Sequence, residues 1–421
     1  MMTDRDRPAA ALWLRRPFLL FWSGSTLSLF GSRFSMLAIP LIAVLTLHAS
    51  PGQMGALSAL ELSPYLVFGL VAGALVDRAD RRLVLVLSHA GRAVVLASIP
   101  VAAATGVLSI AYLYAAGILI GFMTLFFDIA HQSYLPALVD PRQLMTANSS
   151  IQFSRSAADM TGAGLAGLLV QVLPAALTVT VNSATFLVAA LTAGAIGVRE
   201  QRTSAPRPAM AREVGEGLAV VGRDPVLRPL ATSMTILYLL VASASTLTVL
   251  YATRELGVDP ALIGAAFAIG SVGTLAGALG AGAVTARFGI GRGLLGAALV
   301  GGLSPLPLAL ATRSTGFVAL LAAQVLLALG GTVYGIGQNS LRQAITPAEL
   351  RGRMNGVMRF MGVGGQAVGS LAAGLLGQTI GLRPTMALAA SGAVAAFLVL
   401  FLSPVRSLVR IQGPGSPRQE A

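Results

Sequence analysis

Residues Gly73 to Arg82 read G-A-L-V-D-R-A-D-R-R and lie between two long apolar segments. A turn that only reverses the chain needs no such charge. This one holds two acids (Asp77, Asp80), three arginines (Arg78, Arg81, Arg82) and a glycine four residues before the first acid. The pattern is that of a chain crossing a bilayer repeatedly, with a working loop at one membrane face. Composition agrees: 55% of the 421 residues are hydrophobic and 11% are charged, more apolar side chain than a soluble chain of this length can hide.

A membrane helix takes about 20 apolar residues. That ruler finds twelve spans, at 18–44, 54–76, 83–104, 108–131, 149–172, 176–197, 229–252, 261–285, 292–312, 316–340, 355–378 and 384–403. Arg15 and Arg16 ahead of an apolar run look like a signal peptide, but the run to Leu47 is too long and no cleavage site follows. It is read as a first membrane helix.

All 29 basic residues are Arg. Three (Arg254, Arg313, Arg383) fall in odd-numbered connections, four (Arg33, Arg92, Arg155, Arg359) inside spans, and the other 22, counting Arg292 at the very start of the ninth span, in the tails and even-numbered connections. Basic residues collect on the cytoplasmic side, so both termini are expected there, in the inner (plasma) membrane. The net charge of +13 is therefore loop arginine; no basic patch with interleaved aromatics points to nucleic acid. Without Cys there is no disulfide or thiolate site, and His48, His89 and His131 have no metal-ligand spacing. A phosphate-cradling G-x-x-x-x-G-K-[ST] loop is impossible without Lys. No cofactor, no metal and no catalytic arrangement is expected; the energy source would be a proton gradient.

The loop from Arg199 to Arg228 is broken by Pro206 and Pro208, and within it Val214, Leu218 and Val221 recur at helical spacing opposite Arg212, Glu213 and Glu216. This predicts an amphipathic helix on the inner surface. The expected organisation is a six-helix half over 1–198, a linker over 199–228, a second half over 229–404 and a tail over 405–421. The halves read as copies. His131 to Pro141 precedes Leu144 and Asn148, and Asn339 to Pro347 precedes Leu350 and Asn355; Gly55 matches Gly264, Gly73 matches Gly282, Gly162 matches Gly369 and Gly167 matches Gly374. Two parallel repeats imply a substrate site between them near the midplane.

Twelve spans, two repeats and G-x-L-x-D-R-x-x-R-R together resemble the major facilitator superfamily. Ser63 to Arg78, Phe126-Phe-Asp128 with Leu135-Pro136, and Ala147-Asn148 are similar to its drug:proton antiporter branch, with macrolide-efflux and enterobactin-exporter-like proteins. The resemblance implies an all-α fold and efflux of drug-like or secondary-metabolite molecules by alternating access, by a monomer whose partners are protons, a small-molecule substrate and the lipid bilayer. A siderophore or lysophospholipid carrier, or a non-transporting sensor or scaffold, are the rivals. Two departures stand out: the fifth span has Gly162-Ala163 and Ala166-Gly167 where antiporters often carry Gly-Pro, and the second-half loop has Ala286 opposite Asp77.

The family arrangement puts Asp77 beside the start of span 11, where unpaired N–H groups would stabilise its carboxylate by about 0.3–1 kcal/mol. Gly73, Asp77, Arg78, Arg81 and Arg82 would thus form a gating latch against Met354–Gly356, one-sided because of Ala286. Charges inside spans cost about 2.5–3.5 kcal/mol each and mark function. Depth along the helix suggests pairing Arg33 with Glu61 and Arg92 with Asp128, while Arg155 and Asp159 are one turn apart. Asp128, then Glu61 and Asp159, are the proton-coupling candidates, and His89 beside Arg92 could titrate near neutral pH. Spans 2, 5, 8 and 11 would meet across the halves through small residues four apart: Gly69 and Gly73, Ala158 and Gly162, Gly273 and Gly277, Gly365 and Gly369. Depth alone nominates Tyr65, Asn182, Tyr238, Gln324 and Gln366 for the substrate pocket.

Overall fold

The structure, a computed structural model, describes residues 9–173, 175–197 and 210–409. Long helices dominate, as a bilayer requires: backbone groups in hydrocarbon must bond within their own segment. The first half comprises α1 (Arg16–Leu41, prolonged by one wide turn, Ile42–Thr46), α2 (Pro51–Arg78), α3 (Arg81–Ala104), α4 (Ile110–Leu138), α5 (Leu144–Val172) and α6 (Ala175–Gly194). A surface helix, α7 (Met210–Arg223), precedes the second half. There the spans are α8 (Leu227–Arg254), α9–α10 (Pro260–Gly270, Val272–Phe288), α11–α12 (Ile290–Gly302, Leu306–Leu310), α13 (Gly316–Ile345), α14 (Arg351–Thr379) and α15–α16 (Leu382–Ser391, Ala393–Phe401). Ten spans among the described residues are long and apolar enough to cross a membrane, and α2 and α5, with 28 and 29 residues, run alongside them. Among the described residues this is an all-α membrane protein with ten candidate spans and two further long helices packed among them.

Local chemistry sets the joints. Ser50 and Gln53 form a reciprocal capping box at the start of α2, with Pro51 in its first turn. Asp80 caps α3 by accepting from the Leu83 N–H, and Ser109 caps α4. Gly289 and Gly381, at φ 81° and 92°, make the sharp entries to α11 and α15. The charged stretch departs from its expected form: Gly73 to Arg78 is the end of α2, α3 starts at Arg81, and only Ala79 and Asp80 form the turn.

The buried apolar side chains show how the halves meet. One cluster joins both halves at the face away from the termini, running from Leu37, Ile42 and Met54 to Leu250, Leu308 and Leu382. Near the termini face the core splits in two. Leu12, Phe18, Leu138 and Ile196 belong to a first-half cluster, and Val221, Leu341, Met354 and Val405 to a second-half one. The molecule is sealed at the far face and divided at the termini face.

Two close crossings make the seal. A Cβ on Gly55 of α2 would lie 2.6 Å from the Ser370 carbonyl oxygen and 2.7 Å from Gly374 Cα of α14. A Cβ on Gly167 of α5 would lie 2.6 Å from the Pro260 carbonyl oxygen and 2.8 Å from Gly264 Cα of α9. The crossings are repeat-related, since Gly55 matches Gly264 and Gly374 matches Gly167. The expected small-residue pairs do something else. Gly162 packs on Arg33 of α1, Gly273 and Gly277 on α13, Gly365 and Gly369 on α8, and Gly69 and Gly73 meet nothing within 4 Å. Helices of one half use those positions against each other, because close intra-half packing also needs missing side chains.

Candidate functional site

Between the halves lies a cavity of about 480 Å³ with walls from α1, α2 and α4 on one side and α8, α9 and α14 on the other. Most of its lining is apolar: Met36, Leu57, Ile120, Val241, Phe267. Of the residues nominated by depth, Tyr238 and Gln366 line it. Asn182 is buried just behind, donating to the Ser35 hydroxyl that does face the cavity. Tyr65 and Gln324 stand at other sites.

Glu61 reaches the cavity from α2, where its own turn presses against Gly117 and Gly121 of α4. No described residue bonds it or pairs with it. Arg33, its expected partner, instead pairs with Asp159 of α5. Rise per residue places Arg33 and Glu61 at one depth, but their azimuths differ; the Arg33 stem lies against Gly162, one turn beyond Asp159. The same pairing displaces the expected Arg155–Asp159 contact. Arg155 is exposed and borders a polar pocket of about 530 Å³ with His131, Gln132, Asn148 and Gln152.

Asp128 also has a different partner from the one its depth suggested. Its Oδ2 accepts from Arg359 Nη2 of α14 at 2.9 Å and from the Tyr65 hydroxyl of α2 at 2.8 Å. The Arg359 guanidinium lies 5.3 Å from the centre of the Tyr65 ring. Three helices from two halves thus converge on one carboxylate. Arg92 is 1% exposed and sits between the rings of Phe127 and Phe186, 4.6 Å from each centre, with its Nε donating to the Ser88 carbonyl. The two rings and His89 at 3.3 Å take the place of a carboxylate.

The charged loop is anchored inside its own half. Arg81 donates to the Ser133 carbonyl and Arg82 to the carbonyls of Ala193 and Gly194, while Arg78 is exposed. The Asp77 side chain, and with it the expected latch to Met354–Gly356, lies outside the described residues; so do the Arg212, Glu213 and Val214 side chains. The start of α14 is met by α7: Arg353 pairs with Glu216, and Gly217 lies against the Arg353 carbonyl.

An all-α bundle of long membrane helices, closed at one face over a central cavity, matches known proteins. The family described as transmembrane secretion effector matches residues 10–413. The chain belongs to that family, within the major facilitator superfamily. It is 29% identical over 419 residues to the multidrug efflux pump Tap of Mycolicibacterium fortuitum, covering 94% of this chain and 97% of that one. It is 24% identical over 377 residues to an uncharacterized MFS-type transporter, YfiS, of Bacillus subtilis (strain 168), covering 86% of each. Among solved structures, a bacterial homologue of the iron transporter ferroportin in an inward-facing state superposes with a TM-score of 0.73 at 18% identity, covering 92% of this chain and 98% of that one. The nucleoside transporter NupG gives 0.71 at 14%, with the same coverage. This is a multi-pass membrane transporter of the superfamily, and its relatives are transporters rather than enzymes.

Proposed function

We propose that the chain is a proton-driven exporter of drug-like small molecules, working by alternating access in the cytoplasmic membrane with both termini inside. The observation that carries this is the partnerless Glu61 in an apolar cavity that is sealed at the far face and flanked by a carboxylate shared between the halves. With the arginine-rich face inward, the side on which the buried core divides faces the cytoplasm. Drug would enter there and be released on the other side. The similarity to a protein named a multidrug efflux pump supports the substrate class.

The carboxylates supply the exchange logic. Sealing a bare Glu61 into an apolar chamber is costly. Either a proton or a cationic substrate removes that cost, so the two exchange rather than travel together. Asp128 holds α4 to α14 through Arg359. Protonation removes one charge of the pair and frees the halves to rock, and loss of the proton restores the tie.

Fluorescent-drug accumulation in cells, with and without a protonophore, tests the whole reading. Expression should lower accumulation, and the protonophore should abolish the difference. No difference in either condition would remove export. In inverted vesicles Asp128→Asn should lose gradient-dependent uptake; if it keeps that uptake, the coupling site is elsewhere.

A further inference from the structure

A second chamber of about 220 Å³ adjoins the central cavity, and the two share Met36 of α1 and Phe267 of α9 as a common waist. The chambers differ in chemistry. The larger is mostly apolar, with Glu61, the ring-sandwiched Arg92 and a few hydroxyl and amide groups as its polar members. The smaller presents the Arg33–Asp159 ion pair on its first-half wall and Gln324 and Thr274 on its second-half wall. Among the described residues neither the Gln324 amide nor the Thr274 hydroxyl bonds to protein. Polar groups facing a cavity without partners are costly unless something in it satisfies them. Met36, 53% exposed, projects into the open space with its sulfur 3.6 Å from Arg33 Nη1. A flexible thioether opposite one ring makes an adaptable constriction.

We propose that the smaller chamber is a second substrate subsite, which takes the hydrogen-bonding end of an elongated amphipathic molecule whose basic amine sits at Glu61. This rests on the export reading and deepens it by naming the substrate class. Sites for drug-sized ligands span about 300–1,000 Å³. The larger chamber therefore suffices for a compact ring system, and the smaller admits only an appendage. Gln324 offers a donor and an acceptor, Thr274 a hydroxyl, and the ion pair one group of each charge. That set favours hydroxyl, ketone or amide groups over a second bare cation. The apolar middle of the molecule would pass between Met36 and Phe267. Length and a polar far end, rather than charge alone, would then set selectivity.

Two probes separate the subsites in binding measurements on the purified full-length protein. Tetraphenylphosphonium is a compact cation without hydrogen-bonding groups; doxorubicin joins an amino sugar to a flat ring system bearing ketones and hydroxyls. Gln324→Leu and Thr274→Val should each lower the preference for doxorubicin over tetraphenylphosphonium about tenfold, the scale of one lost hydrogen bond. Met36→Trp, which narrows the waist, should lower the same ratio, and Glu61→Gln should weaken both probes. Retained tetraphenylphosphonium binding shows that a variant has folded. Wild-type protein that binds both probes, with a ratio unmoved by Gln324→Leu, Thr274→Val and Met36→Trp, would overturn the subsite alone. Wild-type protein that binds neither would overturn the export reading and the subsite with it.

Discussion

Replacing Gly55 with Ala should tip the transporter away from the state sealed at the far face. The new Cβ would fall 2.6 Å from the Ser370 carbonyl oxygen and 2.7 Å from Gly374 Cα. Ordinary contact begins at 3.4 Å, so α2 and α14 must separate by several tenths of an ångström. Both obstacles are backbone, which cannot rotate aside. Overpacking of this kind costs about 1–3 kcal/mol, and a shift of that size changes a two-state ratio roughly 5–150-fold. The chain has no Cys, so one introduced thiol reports without background. Ser245 of α8 lines the cavity and is accessible from it. With Ser245→Cys as reporter, an impermeant maleimide added to intact cells should label the Gly55→Ala protein at least fivefold faster. Gly167→Ala should do the same at the repeat-related crossing, and the two effects should add because the sites share no partner. Unchanged or slower labelling in both variants would refute the idea that these crossings hold the seal.

Glu61→Gln should abolish export of cationic drugs while leaving expression normal, read by accumulation assays. Arg359→Gln should leave Asp128 with Tyr65 alone and loosen a tie on the termini side of the cavity, near the start of α14, so labelling of the Ser245→Cys reporter from outside should fall. Arg33→Leu strands Asp159 and should lower thermal stability. Full burial of such a pair would cost about 3–5 kcal/mol on breaking, and access from the chamber brings that to its lower end or below; Arg33→Leu with Asp159→Leu should recover much of the loss. Ser50→Ala removes the cap of α2 and should cost about 1 kcal/mol by the same melting measurement.

The spans were legible because a bilayer permits so few backbone solutions, and helix ends differ from expectation by up to about two turns, as at Leu138 and Leu144. Depth was legible in part: Glu61 lines the cavity that Ser32 and Met36 of α1 also face, on either side of Arg33. Azimuth was not. A fixed rise says how high Asp128 stands, but not that it turns toward Arg359 of the other half rather than Arg92 of its own. Arg92 gave a false lead for a physical reason, since two aromatic faces can solvate a guanidinium that sequence pairs with an acid. The sealing glycines were visible as repeat matches, and Gly55 and Gly167 stood out less than the denser Gly-Ala stripes. What separates them is a neighbour's backbone, which no single helix encodes.

The crossing at Gly55 has a mechanical meaning. If α2 pivots there, Arg78 lies 23 residues away, about 35 Å at 1.5 Å per residue, and Glu61 only six, about 9 Å. A rotation of 10° would swing the mouth by about 6 Å and move the carboxylate by about a quarter as much on that geometry. The fulcrum stands close to the cargo and far from the door. Access can therefore change hands while the bound molecule scarcely travels, and a methyl group at the fulcrum has the leverage of the whole helix behind it.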